Sequence, residues 1–272
     1  MFTPVTFRGR LFRKYLKMWP HPAKIRLQNI AGKKFFRGGI EIKNNAGVVF
    51  TLDANDWITR IMLMEGDYET ASTTLAKKLL SDGGLFMDIG ANFGLFTCIV
   101  AHNNEKLKVI AIEPNHSVVS RLLNNIRCNA LQERVRVLNT AVSKKNQFVT
   151  LSQPAPDNLG TTLTTAGTQG LLSILSCPLQ WICTENKISV IDLVKIDIEG
   201  NEFEILEDFP FEKITIKNII LEFNHLSKVG FIALHSFFLA KGFKIYTITG
   251  EELLSDKQPV PENNIWIKNQ RV

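Results

Sequence analysis

Gly84-Leu85-Phe86-Met87-Asp88-Ile89-Gly90-Ala91-Asn92-Phe93-Gly94-Leu95-Phe96-Thr97 joins three local signals. Residues 85–89 form a short apolar run of the kind that a buried parallel strand carries. A glycine-bearing turn follows, and residues 95–102, free of Pro and Gly, read as a helix. A strand, a tight turn and a helix in that order make a nucleotide site. Glycines let the backbone pass close to a ligand, and the helix N-terminus presents unpaired N–H groups. An ordinary βα turn often carries a glycine too, so spacing has to discriminate.

A dinucleotide fingerprint wants G-x-G-x-x-G, with small residues where the pyrophosphate crosses. Counted from Gly90, the second position is Asn92 and the last is Leu95, so two of its three glycines are missing. Gly90-x-Asn92-x-Gly94 suits a nucleoside with an amino-acid tail better than one with a pyrophosphate.

Downstream the rhythm is strand and helix in alternation. Strands are expected over 107–112, 135–138, 190–196, 216–223, 244–248 and 264–268, and helices over 117–128, 231–241 and from 201. Residues 144–190 are the least regular part. The expected fold is α/β: a Rossmann-like, doubly wound, mostly parallel seven-stranded sheet. Ahead of it, 24–30, 36–43 and 47–53 alternate loosely between Gly and Asn punctuation and read as strands of a small β-rich extension. Residues 71–80 read as a helix that stops at Gly83.

At 272 residues and 45% hydrophobic, the chain can bury a sizeable core. Cys98, Cys128, Cys177 and Cys183 form no C-x-x-C and no zinc spacing, so free thiols in a reducing compartment are expected and no metal site is assigned. The basic start has no apolar core of about 7–15 residues behind it, as a secretory signal would. With no run long enough to span a bilayer, a cytoplasmic protein is expected.

The net charge of +6 is unevenly spread: residues 1–40 hold ten basic side chains and no acidic one. The remaining 22 basic and 26 acidic residues leave the rest at −4. Leu11, Phe12, Tyr15, Leu16 and Trp19 recur at helical spacing among those cations, so 8–18 reads as a short amphipathic helix. Such a helix either docks its stripe on the domain or meets an anionic partner, a nucleic acid or a membrane surface.

Ligands of a doubly wound sheet sit beyond the carboxyl ends of its strands. Asp88, Glu113, Asn139, Asp197, Glu199, Glu222 and His225 accumulate there. Glu113, 25 residues after Asp88, is positioned to accept both ribose hydroxyls; the bland alternative is an acid favoured by a helix dipole. Asp88 either orients the loop or holds an amino group. Asp197, Glu199, Glu222 and His225 are the available bases. A histidine near 6.5 matches neutral pH best, with Glu222 three residues away to orient it; a plain surface histidine is the alternative.

These residues fall into blocks that resemble a known family, the FkbM-type S-adenosylmethionine-dependent methyltransferases of class I fold. The blocks are Glu65-Gly66-Asp67-Tyr68-Glu69, Phe86 to Gly94, Ile112-Glu113-Pro114-Asn115, Asn139-Thr140-Ala141-Val142 and Leu193 to Glu202. The resemblance implies S-adenosyl-L-methionine as cofactor, with Asp88, Gly90, Asn92 and Gly94 around its methionine moiety. It implies Glu113 on the ribose, Ala141 by the adenine and Glu69 near the amino end, and Ala91 and Asn115 are counted with them. Lys195, Asp197 and Glu199 would floor the reaction site. Where the family carries Leu-Asp-x-Leu, this chain has Leu179-Gln180-Trp181-Ile182.

The implied organisation is a basic arm (1–22), a β-rich extension (23–68) and a cofactor-binding domain (69–272). The implied function is O-methylation of a small molecule or glycan. The basic arm keeps open an RNA methyltransferase, and a non-catalytic domain of the same fold is a third reading. Acceptor and oligomeric state are not written in the sequence.

Overall fold

The computed structural model describes residues 1–18, 24–152, 163–166, 173–198, 200–224, 227–255 and 263–272. The chain opens with strand β1 (Phe2–Pro4), helix α1 (Phe7–Leu16) and helix α2 (Lys24–Phe35), followed by β2 (Ile40–Asn44) and β3 (Val49–Leu52). β1, β2 and β3 pair antiparallel in that order. Helices α3 (Trp57–Glu65) and α4 (Thr70–Leu79) lead into the main domain. The expected strand over 24–30 is instead the first half of α2. Leu27, Ile30, Ala31 and Lys34 recur at helical, not alternating, spacing. Gly32 inside that helix faces the Asn55 side chain, which a Cβ there would have to displace.

The main domain begins with β4 (Gly84–Ile89), α5 (Leu95–Ala101), β5 (Leu107–Ile112), α6 (His116–Cys128) and β6 (Val135–Leu138). Residues 141–185 carry β7 (Ala141–Val142), β8 (Gln147–Ser152), β9 (Leu163–Ala166), β10 (Ser173–Cys177) and α7 (Leu179–Glu185). The stretch expected to be irregular thus holds a four-stranded sheet ordered β7-β10-β8-β9. There follow β11 (Val190–Ile191), β12 (Leu193–Ile196), α8 (Glu204–Glu207), β13 (Thr215–Ile216), β14 (Asn218–Phe223), α9 (Phe231–Ala240), β15 (Phe243–Thr247) and β16 (Asn263–Asn269). The two long strands expected over 190–196 and 216–223 each break, at Asp192 and Lys217. Their first halves form a separate parallel pair, β11 with β13, and Asp192 Oδ2 accepts from the Leu85 N–H at 2.7 Å.

The seven-stranded sheet runs β15-β16-β14-β12-β4-β5-β6, parallel except for β16. From β4 the chain winds outward through β5 to β6 and then returns to β4's other side as β12. β4 and β12 therefore flank the switch point where such sheets bind ligands. Strand alternation sorts the core into two faces. Phe86, Leu193 and Ile220 pack on one face with α5 and the N-terminal elements, and Met87, Val194, Ile196 and Leu221 pack on the other with α7 and α9.

Two amides, one in α6 and one at its C-terminal cap, join the N-terminal sheet to this domain. Asn125, fully buried, accepts from the Thr51 N–H at 2.8 Å and donates to the Phe93 carbonyl at 2.9 Å. Asn129, one turn later, exchanges two bonds with Val49. Spaced four apart, they lie on one helix face and act as a surrogate strand against the edge of β3. Phe50 meets Phe93 edge-on at 6.0 Å, so the extension buttresses the glycine turn directly. All four cysteines are free, and only Cys128 is exposed. Among the described residues no helix is long and apolar enough to cross a membrane.

Candidate active site

The glycine turn is built from left-handed backbone: φ is 81° at Gly90, 50° at Asn92 and 89° at Gly94. At Gly90 no other residue fits, because a Cβ would sit 1.9 Å from the Asp197 carbonyl oxygen. Gly90 and Ala91 both donate to the Ile112 carbonyl, at 2.9 and 3.0 Å, which folds the turn back over the end of β5. Gly94 caps α5, whose every residue is buried.

Asp88 and Lys195 stand opposite each other in the β4–β12 register, on the face of Phe86 and Leu193. Both are buried, at 1% and 3% exposure. Asp88 Oδ2 accepts from Thr97, at 3.0 Å from its N–H and 2.6 Å from its hydroxyl, so this carboxyl orients the start of α5. Burial pushes the Asp88 carboxyl above its ordinary range even against Lys195 and Thr97. Burial works the other way on Lys195, but the carboxylates of Asp197, Asp88 and Glu69 outweigh it and hold the ammonium charged. The Lys195 Nζ also lies 4.7 Å from the centre of the Phe96 ring, a cation–π contact.

From Lys195 the cluster reaches the surface through Asp197, two residues on and on the same face. Lys195 Nζ donates to Asp197 Oδ2 at 2.6 Å; the lysine side chain is 4% exposed and the aspartate 36%. Packing opposes the Asp197 charge, but Lys195 and hydrogen bonds from Lys195 and Glu222 hold its carboxyl below the usual carboxylate range. Glu222 and Asp197 are thereby neighbours in one carboxyl pair. Tyr68 faces the same group. Burial, then Glu69 and Asp197, push its phenol well above the ordinary range, which keeps it a hydrogen-bond donor.

Two further residues complete this floor. Glu202, 2% exposed, accepts from the backbone N–H groups of Ile198 at 3.1 Å and Gly200 at 2.9 Å. It thereby shapes the loop that leaves Asp197. Asn264, opposite Glu222 across the β14–β16 pair, donates to Glu69 Oε2 at 2.7 Å and to the Ser72 hydroxyl at 3.2 Å. Glu69 itself has a left-handed backbone, φ 56°, at the start of α4.

On the other side of the turn, Glu113 is 6% exposed at the end of β5. Its two oxygens accept from the backbone of Asn92 at 2.9 Å and Asn115 at 2.7 Å. Burial raises its pKa to about 7 against those two bonds. Each oxygen keeps a second lone pair, acceptor capacity that suits the two hydroxyl donors of a ribose diol. Asn115 accepts from Ser117 as the cap of α6. Asn139 donates to the Glu113 and Pro114 carbonyls at 2.8 and 3.0 Å, tying the loop before Ala141 to the same region. Ala141 is buried at the start of β7.

The structure thus gathers Glu69, Asp88, Lys195, Asp197 and Glu222 into one cluster and sets Glu113 and the glycine turn beside it. Glu199 and His225 lie outside the described residues. Sequence reading missed Tyr68, Glu202 and Asn264 as site residues. The first two stood inside the quoted blocks, where chemistry alone did not single them out; Asn264 carried no signal without strand register.

A switch-point cleft with a glycine turn on one strand and an acid on the next defines a nucleoside-binding Rossmann-like domain. Within that class, the model of the methyltransferase FkbM domain matches residues 88–245. The chain belongs to this family and is an S-adenosylmethionine-dependent methyltransferase. It is similar to the hexuronic acid methyltransferase AglP of Haloferax volcanii, at 24% identity over 173 residues, 64% of this chain and 69% of that protein. Solved structures with a related fold include M. capricolum TrmK in complex with S-adenosyl-homocysteine. That match has 16% identity and a TM-score of 0.43, over 72% of this chain and 66% of that one, just under two thirds of its length. Another is M. jannaschii TYW2 in complex with AdoMet, at 15% identity, 84% of each chain and a TM-score of 0.42.

Proposed function

We propose that this methyltransferase acts on a hydroxyl of a sugar or sugar-like acceptor, with Asp197 receiving the hydroxyl proton. The observation that carries the reading is the Lys195–Asp197–Glu222 cluster, in which a held, ionised carboxylate is the solvent-facing end of a buried charge network. Similarity to a hexuronic acid methyltransferase supports the acceptor class.

S-adenosylmethionine, when bound, supplies an electrophilic methyl on a sulfonium. The chain's own residues do the rest. Glu113 would accept the ribose hydroxyls, and the backbone of the left-handed turn at Gly90, Asn92 and Gly94 would lie along the methionine half. Glu69 would hold its amino end, and Ala141 would lie by the base. Asp197 accepts a hydrogen bond from the acceptor hydroxyl, aligns its lone pair and takes the proton as the new C–O bond forms. Lys195 keeps Asp197 ionised and is itself too tightly held to act as a base. Tyr68, kept protonated beside Asp197, would offer the acceptor a hydrogen-bond donor, and Glu222 helps to hold Asp197 in place.

The test is transfer of labelled methyl from S-adenosylmethionine to uronic-acid-containing oligosaccharides, with RNA as the parallel acceptor. Asp197→Asn is expected to lower turnover by roughly 10²–10⁴-fold while cofactor affinity by calorimetry is kept. Labelling of RNA alone, or full turnover by the variant, would overturn the proposal.

A further inference from the structure

We propose that the exposed sides of α1 and α2 dock on an anionic lipid bilayer. Helix α1 is apolar on two sides. Gly9, Phe12 and Leu16 are buried against the core, so the stripe read from sequence is split. On the opposite side Phe7 and Leu11, one turn apart, are 73% and 52% exposed. Arg8, Arg10 and Lys14 are exposed beside them. Helix α2 repeats the pattern: Leu27, Ile30 and Phe35 are 45%, 49% and 55% exposed. Lys33 and Lys34 occupy its last turn, and Lys34 Nζ lies 5.7 Å from the Phe35 ring.

Charge complementarity selects the occupant. The first 40 residues carry no carboxylate side chain. Among the described residues no acid pairs with Arg8, Arg10, Lys14, Lys33, Lys34 or Arg37. A second copy of the chain seated face to face would bring the same cations against each other. A nucleic acid would use the cations, but Leu11, Leu27 and Ile30 offer its phosphates and bases nothing. Exposed aliphatic and phenyl groups interleaved with arginine and lysine are what an acyl–headgroup boundary accepts, and apolar insertion plus a basic patch meets the two-signal requirement for stable anchoring.

The surface is coupled to the site. Arg13 Nε donates to the Leu63 carbonyl at 2.7 Å, and the Phe2 N–H donates to the Gly66 carbonyl at 2.7 Å. Tyr68 and Glu69 follow two and three residues later. Docking would therefore fix the orientation of the active-site mouth relative to the bilayer. This inference is independent of the acceptor's identity.

The experiment is co-sedimentation of the full chain with phosphatidylcholine vesicles and with vesicles that also contain phosphatidylglycerol. Single-stranded RNA binding is measured in parallel. The wild-type chain is expected to sediment with the anionic vesicles, less so as salt rises, and not with neutral ones. Phe7→Ser with Leu11→Ser is expected to lower partitioning by about tenfold or more. Arg8→Glu with Lys14→Glu is expected to do the same. Because these side chains are exposed, melting temperature and cofactor affinity should be unchanged. Failure to bind anionic vesicles, or unaltered binding by the Phe7/Leu11 variant, would overturn the proposal. So would RNA binding without vesicle binding, or a dimer that the Phe7/Leu11 variant dissolves.

Discussion

Asp88 and Lys195 occupy directly opposed positions on adjacent parallel strands and are both almost wholly inaccessible to water. The pair sits beneath the candidate site's solvent-facing Asp197. Lys195 is the shared counter-charge of Asp88, Asp197 and Glu69, so three carboxylates depend on one ammonium.

Lys195→Met is therefore expected to destabilise the fold by about 3–5 kcal/mol, because it strands buried carboxylates instead of removing a complete pair. Adding Asp88→Asn should cost less than the sum of the single changes. Urea unfolding of the two single variants and the double variant reads both outcomes, and strict additivity would contradict the shared-charge account.

Gly90→Ala should abolish cofactor binding and lower stability together. The new methyl meets a backbone carbonyl, which cannot step aside, in a left-handed conformation. At Gly94 the nearest atom is Cδ1 of the Leu122 side chain, at 2.6 Å. Gly94→Ala is thus expected to keep measurable cofactor affinity in a calorimetric titration where Gly90→Ala shows none.

Glu113 gives a pH signature. Its folded pKa, about 7, lies above the ordinary value of 4.5, so between those values the folded state binds more protons than the unfolded one. Stability should fall as pH rises through that window and level off above about 7. Cofactor affinity should move oppositely and strengthen as the carboxylate forms, if it accepts the ribose hydroxyls. Thermal melts and titrations across the window, compared with Glu113→Gln, test both slopes; the variant should flatten them.

Glu202→Ala removes the acceptor of two backbone N–H groups and leaves them facing a buried space. A loss of about 2–4 kcal/mol is expected, with faster exchange at the Ile198 and Gly200 amides. Unchanged exchange there would mean that the loop leaving Asp197 is shaped by something else.

What the sequence made legible was whatever depends on near neighbours. The strands at 107–112 and 135–138 match β5 and β6 residue for residue, because β-branched runs and their stops are local signals. Helix α2 misled because Ile25, Leu27 and Ile30 also satisfy a loose strand pattern. The short strands between 141 and 177 lack any run long enough to register. In the site, Asp88, Glu113 and Asp197 stood out by their place at strand ends. The partnership of Glu222 with Asp197, and of Asn264 with Glu69, needs the order β16-β14-β12-β4, which no single stretch encodes.

That last contact spans 195 positions of the chain. On the ribosome, the glycine turn, Glu113 and the Asp88–Lys195 pair all emerge before β16 does. A nascent chain can therefore assemble its nucleoside pocket early, yet Glu69 gains the amide of Asn264 only once β16 has emerged. Synthesis through β16, 195 positions after Glu69, is thus the step that ties the start of α4 to the sheet beside the candidate site.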